Sequence, residues 1–141
     1  MKVLIFGLPG SGKTTLAKPF TKLVGGVHLN ADEIRKKYND WDFTPEGRMR
    51  QAYRMRLLAD GVVRAGQIAV ADFVAPTDQV RMEFNADFTV WMDTIKESTY
   101  PDTNTMFVPP AHCNYHVAKW FNDTHAQLME VVSTWMERNN V

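Results

Sequence analysis

Residues 7–14, Gly7-Leu8-Pro9-Gly10-Ser11-Gly12-Lys13-Thr14, form an uninterrupted G-x-x-x-x-G-K-[ST] run. The run follows the apolar stretch Val3-Leu4-Ile5-Phe6 directly and precedes a helical pattern. No other short segment constrains the chain as strongly. In a strand, loop, helix context the glycines let successive backbone N–H groups turn inward around phosphate oxygens, Lys13 reaches the β and γ phosphates, and the Thr14 hydroxyl meets Mg²⁺. The run therefore predicts a nucleoside triphosphate site at the start of the chain.

Composition narrows what surrounds that site. The 141 residues, 45% hydrophobic and 23% charged, suit one compact domain over residues 1–141 and exclude a large motor or a multi-domain ATPase. Sixteen basic and sixteen acidic residues give a formal net charge of zero, so any anion must be held by a local cluster rather than drawn by a global field. A single cysteine, Cys113, excludes an internal disulfide and fits a reducing compartment. The N-terminal apolar run is too short for a signal peptide, and no stretch has the length of a membrane span. These features predict a cytoplasmic protein without membrane or nucleic-acid partners; a homodimer stays open.

Along the chain, Lys2 to Phe6 reads as a buried strand. Lys13 to Leu23 reads as the following helix, with Pro19 expected to bend it or end it early and Gly25-Gly26 breaking the chain. Val27 to Leu29 is a short strand, and Asn30, three residues before Glu33, starts a helix over Ala31 to Tyr38. Thr44 caps, and Pro45 opens, a helix running to about Ala65 with Gly66 as its stop. Ile68 to Phe73 is apolar with almost no alternation, as in a central parallel strand covered on both faces. A helix over Pro76 to Phe84 and a strand over Phe88 to Met92 follow, then a proline-containing stretch, Thr94 to Asn114, with no period and read as a long functional loop. Tyr115 to Ala118 is a last strand, and Leu128, Val131, Val132, Trp135 and Met136 mark a closing helix. Strands alternating with helices after a phosphate loop predict a three-layer α/β domain of the P-loop NTPase kind. Its parallel sheet of about five strands should carry ligands at the strands' carboxyl ends.

That placement selects polar residues. Asp32 lies just past the second strand, Asp72 near the end of the next, and Arg35 one helical turn beyond Asp32; all three are expected to face the phosphates. Phosphoryl transfer needs a carboxylate to hold Mg²⁺ or take the acceptor's proton, and cations to balance the moving charge. Asp32 is the first choice for that carboxylate, ahead of Asp72, and Lys13 supplies a cation. Arg48, Arg50, Arg54 and Arg56 cluster early in the third helix, where a second anion could bind, against the alternative of a solvated helix face. Trp41 and Phe43 beside Arg48 suggest a purine stacked on a ring. His112, Cys113 and His116 lack a fourth ligand at a structural metal spacing.

Several segments resemble adenylylsulfate kinases, which use ATP to phosphorylate adenosine 5′-phosphosulfate on its 3′-hydroxyl, over roughly the first two thirds of the chain. The family's opening loop is similar to Gly7 to Thr15, and its L-D-G-D-x-x-R segment is similar to Leu29-Asn30-Ala31-Asp32-Glu33-Ile34-Arg35. Its G-F-S-x-x-D-R-x-x-N segment is similar to residues 42–51 and its F-I-S-P segment to Phe73-Val74-Ala75-Pro76, with Arg81 at a family arginine. The resemblance implies ATP and Mg²⁺ as cofactors, with Gly7, Leu8, Pro9, Gly10, Ser11, Gly12, Lys13, Thr14 and Thr15 around ATP. It implies Asp32 in catalysis and metal binding, and an adenylyl-type acceptor held by Arg35, Phe43, Arg48, Gln51, Phe73, Val74 and Ala75. Trp41 receives no ligand contact from this pattern. The chain departs from the family at Ala75 for Ser, Asp78 for Arg, Gln51 for Asn, and at Ser98 to Pro110, a short and nearly uncharged stretch in place of a Lys/Arg-rich lid. A kinase for another hydroxyl, on a nucleoside or a polynucleotide 5′ end, and a nucleotide-binding module with little turnover remain alternatives.

Overall fold

All six residues of the first strand, β1 (Lys2–Gly7), are buried, as in a strand covered on both faces. The computed structural model describes residues 1–141. β1 pairs in parallel with β3 (Ala69–Phe73) on one side and β4 (Phe88–Met92) on the other. The edges are β2 (Val27–Asn30), beside β3, and β5 (Tyr115–Val117), beside β4, so the five parallel strands run in the order β2-β3-β1-β4-β5.

Six helices complete the layers: α1 (Lys13–Val24), α2 (Ala31–Tyr38), α3 (Pro45–Arg64), α4 (Asp78–Phe84), α5 (Pro101–Met106) and α6 (Thr124–Arg138). Side chains alternate across the strands. Leu4, Phe6, Ala71 and Phe73 enter a core with Ile34, Met55, Ala59 and Phe84 of α2, α3 and α4. Val3, Ile5, Val70 and Val90 enter a second core with Leu16, Phe20, Leu128 and Val132 of α1 and α6. Phe20 and Phe84 are fully buried, each worth roughly 1.5–3 kcal/mol in apolar transfer. The chain builds β2 and β3 on one side of β1 and then crosses to β4 on the other, which opens a crevice at the strands' carboxyl ends.

Asn30 caps α2 by accepting the Glu33 N–H, and Thr44 caps α3 by accepting the Gly47 N–H with Pro45 in the first turn. α3 closes in a Schellman arrangement on Gly66 (φ 83°), with Gly66 N–H donating to the Val63 carbonyl and Gln67 N–H to the Val62 carbonyl.

Three expectations differ from the structure. α1 runs through Pro19 to Val24; the proline forfeits only the bond to the Thr15 carbonyl, and Thr15 is exposed to water that can take its place. The fourth helix begins at Asp78, capped by Thr77, rather than at Pro76. The stretch from Thr94 to Asn114 is not all loop: it contains α5, started by Pro101 in its first turn. Asn104 Nδ2 donates to the Ser98 carbonyl and Ser98 Oγ to Asn104 Oδ1, while Val108 N–H donates to the Pro76 carbonyl, so both flanks of α5 are tied down. One and a half turns carry no readable period, which is why the helix escaped the pattern. No helix is long and apolar enough to cross a membrane.

Candidate active site

After β1 the chain turns through Gly10 (φ 85°) and Gly12 (φ 97°), both in the left-handed region open to glycine, and enters α1. Gly12 is the N-cap of α1 and has no side chain to accept the first-turn N–H groups, which leaves the positive end of the helix dipole to an anion. The Trp120 indole lies against this glycine, where a Cβ would fall 2.6 Å from Nε1. Lys13 Nζ bends back and donates to the Leu8 carbonyl at 3.0 Å. Burial lowers its pKa, opposed by the charges of Asp72 and Asp32, so the ammonium is short of counter-charge of the kind phosphate oxygens supply. Ser11 Oγ is buried without a partner.

Asp72 takes a position on β3 that faces α1, in line with Val70, and is buried. Thr14 Oγ1 donates to its Oδ1 at 3.2 Å, Asn30 Nδ2 donates to Oδ1 at 3.2 Å and Oδ2 at 3.4 Å, and His28 Nε2 contacts Oδ2. Both carboxylate oxygens are therefore engaged by protein donors. Thr14 Oγ1 also accepts from Asn30 Nδ2 at 3.2 Å, and one of its lone pairs stays free. Asp32, exposed, stands in the same cleft. Hydroxyl and carboxylate oxygens are the hard donors Mg²⁺ takes, and one or two from protein suffice when phosphates supply the rest. This donor set fits that ion: Thr14 Oγ1 would be the direct ligand, and Asp72 accepts the hydrogen bond of that hydroxyl.

A cleft of about 1340 Å³ joins the phosphate loop to an aromatic wall. Its lining includes Pro9, Gly10, Gly12, Lys13, Thr14 and Thr15 of the loop and α1, Asp72, Phe73 and Val74 at the end of β3, Trp41, Phe43 and Arg48, and Tyr100 to Thr103 at the start of α5. Phe43 and Trp41 are each about half exposed, 47% and 50%. Two guanidiniums lie against the Phe43 ring, those of Arg35 at 4.3 Å and Arg48 at 5.3 Å from its centre. Arg48 Nε donates to the Phe43 carbonyl at 3.0 Å and Nη2 to Thr103 Oγ1 at 2.9 Å, so one side chain fixes both the aromatic loop and α5. Burial lowers the pKa of Arg35 and of Arg48.

Several residues selected from sequence stand elsewhere. Arg35 is buried outside the cleft lining, its Nη1 donating to the carbonyls of Asp40 and Asp42 at 3.0 and 3.1 Å. Gln51 is buried too, donating to the Ala31 carbonyl and accepting from Arg54. Ala75 is buried with φ 43°, and its carbonyl accepts from Arg81 Nε. Gly7, Leu8 and Ser11 form the underside of the loop rather than the cleft surface. Of the arginines read as a second anion cluster, three are already paired with carboxylates: Arg50 donates to Asp40 and Asp42, Arg54 to Asp40, and Arg56 pairs with Asp60. These bonds hold the Asp40 carboxyl well below the usual range, Arg50 first and Arg54 second among the causes. Trp41, given no ligand contact by the resemblance, lines the cleft. His116 stacks on Trp91 at 4.5 Å and faces Asp93, and no three His, Cys, Asp or Glu side chains converge as a metal group.

His28, Asn30, Tyr100 and Thr103 were missed as cleft or network residues. For the first two a signal existed, since polar residues alternating on a short strand beside an acidic strand end place their side chains on one face. Nothing comparable marked Tyr100 or Thr103.

Among solved structures, the adenylylsulfate kinase of Mycobacterium tuberculosis in complex with AMPPNP and APS superposes with a TM-score of 0.81 at 16% identity, covering 94% of this chain and 96% of that one. A probable adenylyl-sulfate kinase of Aeropyrum pernix is 34% identical over 88 residues, 56% of this chain and 46% of its own length. An adenylate kinase of Pyrococcus furiosus is 42% identical over 66 residues, 45% of this chain and 29% of its own. The chain thus spans less than half the length of these curated relatives. Residues 1–99 match the profile of the family described as adenylylsulphate kinase, and on that match the chain belongs to the adenylylsulphate kinase family.

Proposed function

We propose that this chain transfers the γ-phosphoryl group of ATP to the 3′-hydroxyl of adenosine 5′-phosphosulfate. The observation that carries the reading is that the phosphate loop, Phe43 and Arg48 all line one cleft, so a triphosphate on the loop and a purine on Phe43 would share one space. Family membership supports it, as does the neighbour from Mycobacterium, solved with AMPPNP and APS.

In this mechanism the N–H groups of Gly10 to Thr14 cradle the β phosphate, and Lys13 exchanges its bond to the Leu8 carbonyl for the β and γ oxygens. Mg²⁺, when bound, offsets charge on the β and γ phosphates. Thr14 Oγ1 offers it a lone pair while Asp72 and Asn30 hold that hydroxyl in one orientation. Phe43 stacks on the acceptor's adenine, with Trp41 beside it and Val74 beneath. The acceptor hydroxyl attacks the γ-phosphorus as the bond to the β–γ bridging oxygen breaks; its proton passes to Asp32 and ADP leaves. Lys13 and Arg48 are the cations among the lining residues, so they carry the balancing of charge that a basic lid would share.

Calorimetric titration of adenosine 5′-phosphosulfate into the protein held with MgADP tests the acceptor assignment. Saturable binding, with nucleosides, shikimate and gluconate silent at the same concentrations, is expected. Binding of one of those compounds with adenosine 5′-phosphosulfate silent would overturn it.

A further inference from the structure

We infer that His28 is a positioning residue for the metal-facing hydroxyl: it clamps Asp72, and Asp72 in turn holds Thr14. The inference rests on the phosphotransfer reading for its ligand but not for its acceptor. His28 lies on edge strand β2, two residues before Asn30, and the parallel register sets Asn30 opposite Asp72. The His28 side chain, 19% exposed, sits against a carboxylate only 4% exposed. An ionised carboxylate only accepts hydrogen bonds, so Nε2 carries the proton and donates.

The division of labour at Asp72 gives this contact its consequence. Oδ1 takes the Thr14 hydroxyl and one approach of Asn30, whereas Oδ2 takes His28 and only the longer 3.4 Å approach of Asn30. Without His28, Oδ2 keeps only the 3.4 Å approach of Asn30 in a buried setting. Turning about its Cβ–Cγ bond lets the carboxylate recover a hydrogen bond, and that turn swings Oδ1 away from Thr14. The hydroxyl, no longer tethered, spends its time among rotamers of which one faces the phosphates. Partners of this kind behind a ligand set metal affinity without touching the metal. Nucleotide contacts from the loop backbone and Lys13 do not pass through His28 and should be left as they are.

The test compares the parent with His28→Leu and His28→Gln in two measurements. One is AMPPNP affinity in EDTA; the other is the Mg²⁺ concentration giving half-maximal thermal stabilisation at saturating AMPPNP. His28→Leu should raise the Mg²⁺ midpoint about tenfold, the lower end for an outer-shell partner, with metal-free affinity unchanged. His28→Gln, whose amide reaches the Nε2 position, should recover most of the midpoint. In an Asp72→Asn background, His28→Leu should add nothing further, because the two act in series. If His28→Leu does not fold, His28→Asn, whose amide stops short of Asp72, takes its place with the same expectation. An unchanged midpoint, an equal loss in EDTA and in Mg²⁺, or independent effects of the His28 and Asp72 substitutions would each overturn the inference. A parent with no Mg²⁺-dependent nucleotide binding would remove the phosphotransfer reading along with it, whereas failure of the acceptor alone would leave the inference standing.

Discussion

Replacing Arg48 by alanine removes two charge-assisted hydrogen bonds at once, to the Phe43 carbonyl at 3.0 Å and to Thr103 Oγ1 at 2.9 Å, from a side chain that is buried. Each such bond is worth about 1.5–3 kcal/mol. The cleft adjoins both acceptors, so water entering the space vacated replaces part of the loss, and the lower bound, about 3 kcal/mol for the two bonds together, applies. For a chain of this length each kcal/mol shifts Tm by roughly 3–4 °C, so a fall of about 10 °C is expected. The functional effect should be one-sided. Arg48 holds the Phe43 loop and α5, not the phosphate loop, so KM for adenosine 5′-phosphosulfate should rise about tenfold while KM for ATP stays within about twofold. Arg48→Lys keeps the charge but lacks the planar fork that spans both acceptors and should give an intermediate result. Differential scanning calorimetry and initial-rate kinetics supply both readings. A fall in Tm below about 2 °C, or equal rises in both KM values, would refute the argument that one side chain organises the acceptor wall.

Lys13→Ala should abolish ATP turnover while lowering Tm only slightly, since the residue gives up one hydrogen bond of about 1 kcal/mol; coupled-assay rates and a thermal scan check this. Asp32→Asn should lower kcat far more than it raises KM for ATP, because an exposed carboxylate acting on proton or metal matters most in the transition state, and steady-state kinetics read the split. Phe43→Ala and Trp41→Ala should each weaken adenosine 5′-phosphosulfate by about tenfold or less, a stacked ring being worth about 0.5–1.5 kcal/mol beyond burial, with AMPPNP unchanged by calorimetry. Asp40→Asn tests the arginine clamp: a carboxyl depressed by Arg50 and Arg54 contributes stability that is full above its unfolded pKa of about 3.9 and is lost as pH falls through its folded value. The Tm difference between parent and variant should thus be constant above about pH 5 and shrink below about pH 4.

The phosphate loop, the sheet and most helix limits were legible because each rests on local chemistry. Thr44 with Pro45, and Asn30 with Glu33, announce helix starts through bonds within one turn, and Gly66 announces an end through a conformation that other residues resist. The expected grouping of Lys13, Thr14 and Asp72 was legible because the loop motif and the end of a neighbouring parallel strand bring them to one cleft. Arg35 and Gln51 read as ligand contacts, whereas Arg35 Nη1 donates to the carbonyls of Asp40 and Asp42 and Gln51 Nε2 to that of Ala31, partners fixed by how α2, α3 and the loop between them pack. Arg50 and Arg54 read as an anion site because their carboxylate partners, Asp40 and Asp42, precede them by more than a helical turn. The helix α5 depends on a Ser98–Asn104 ring and an arginine from α3, none of which leaves a periodic trace.

Incubation of the chain with γ-labelled ATP, Mg²⁺ and adenosine 5′-phosphosulfate, followed by assignment of the labelled phosphate in the product by ³¹P NMR and mass, tests the phosphotransfer most directly. Label on the 3′-oxygen of adenosine 5′-phosphosulfate, formed in step with ADP and lost in Lys13→Ala, is the predicted result. Label appearing only as inorganic phosphate, or no ADP formed above the rate without acceptor, would contradict it.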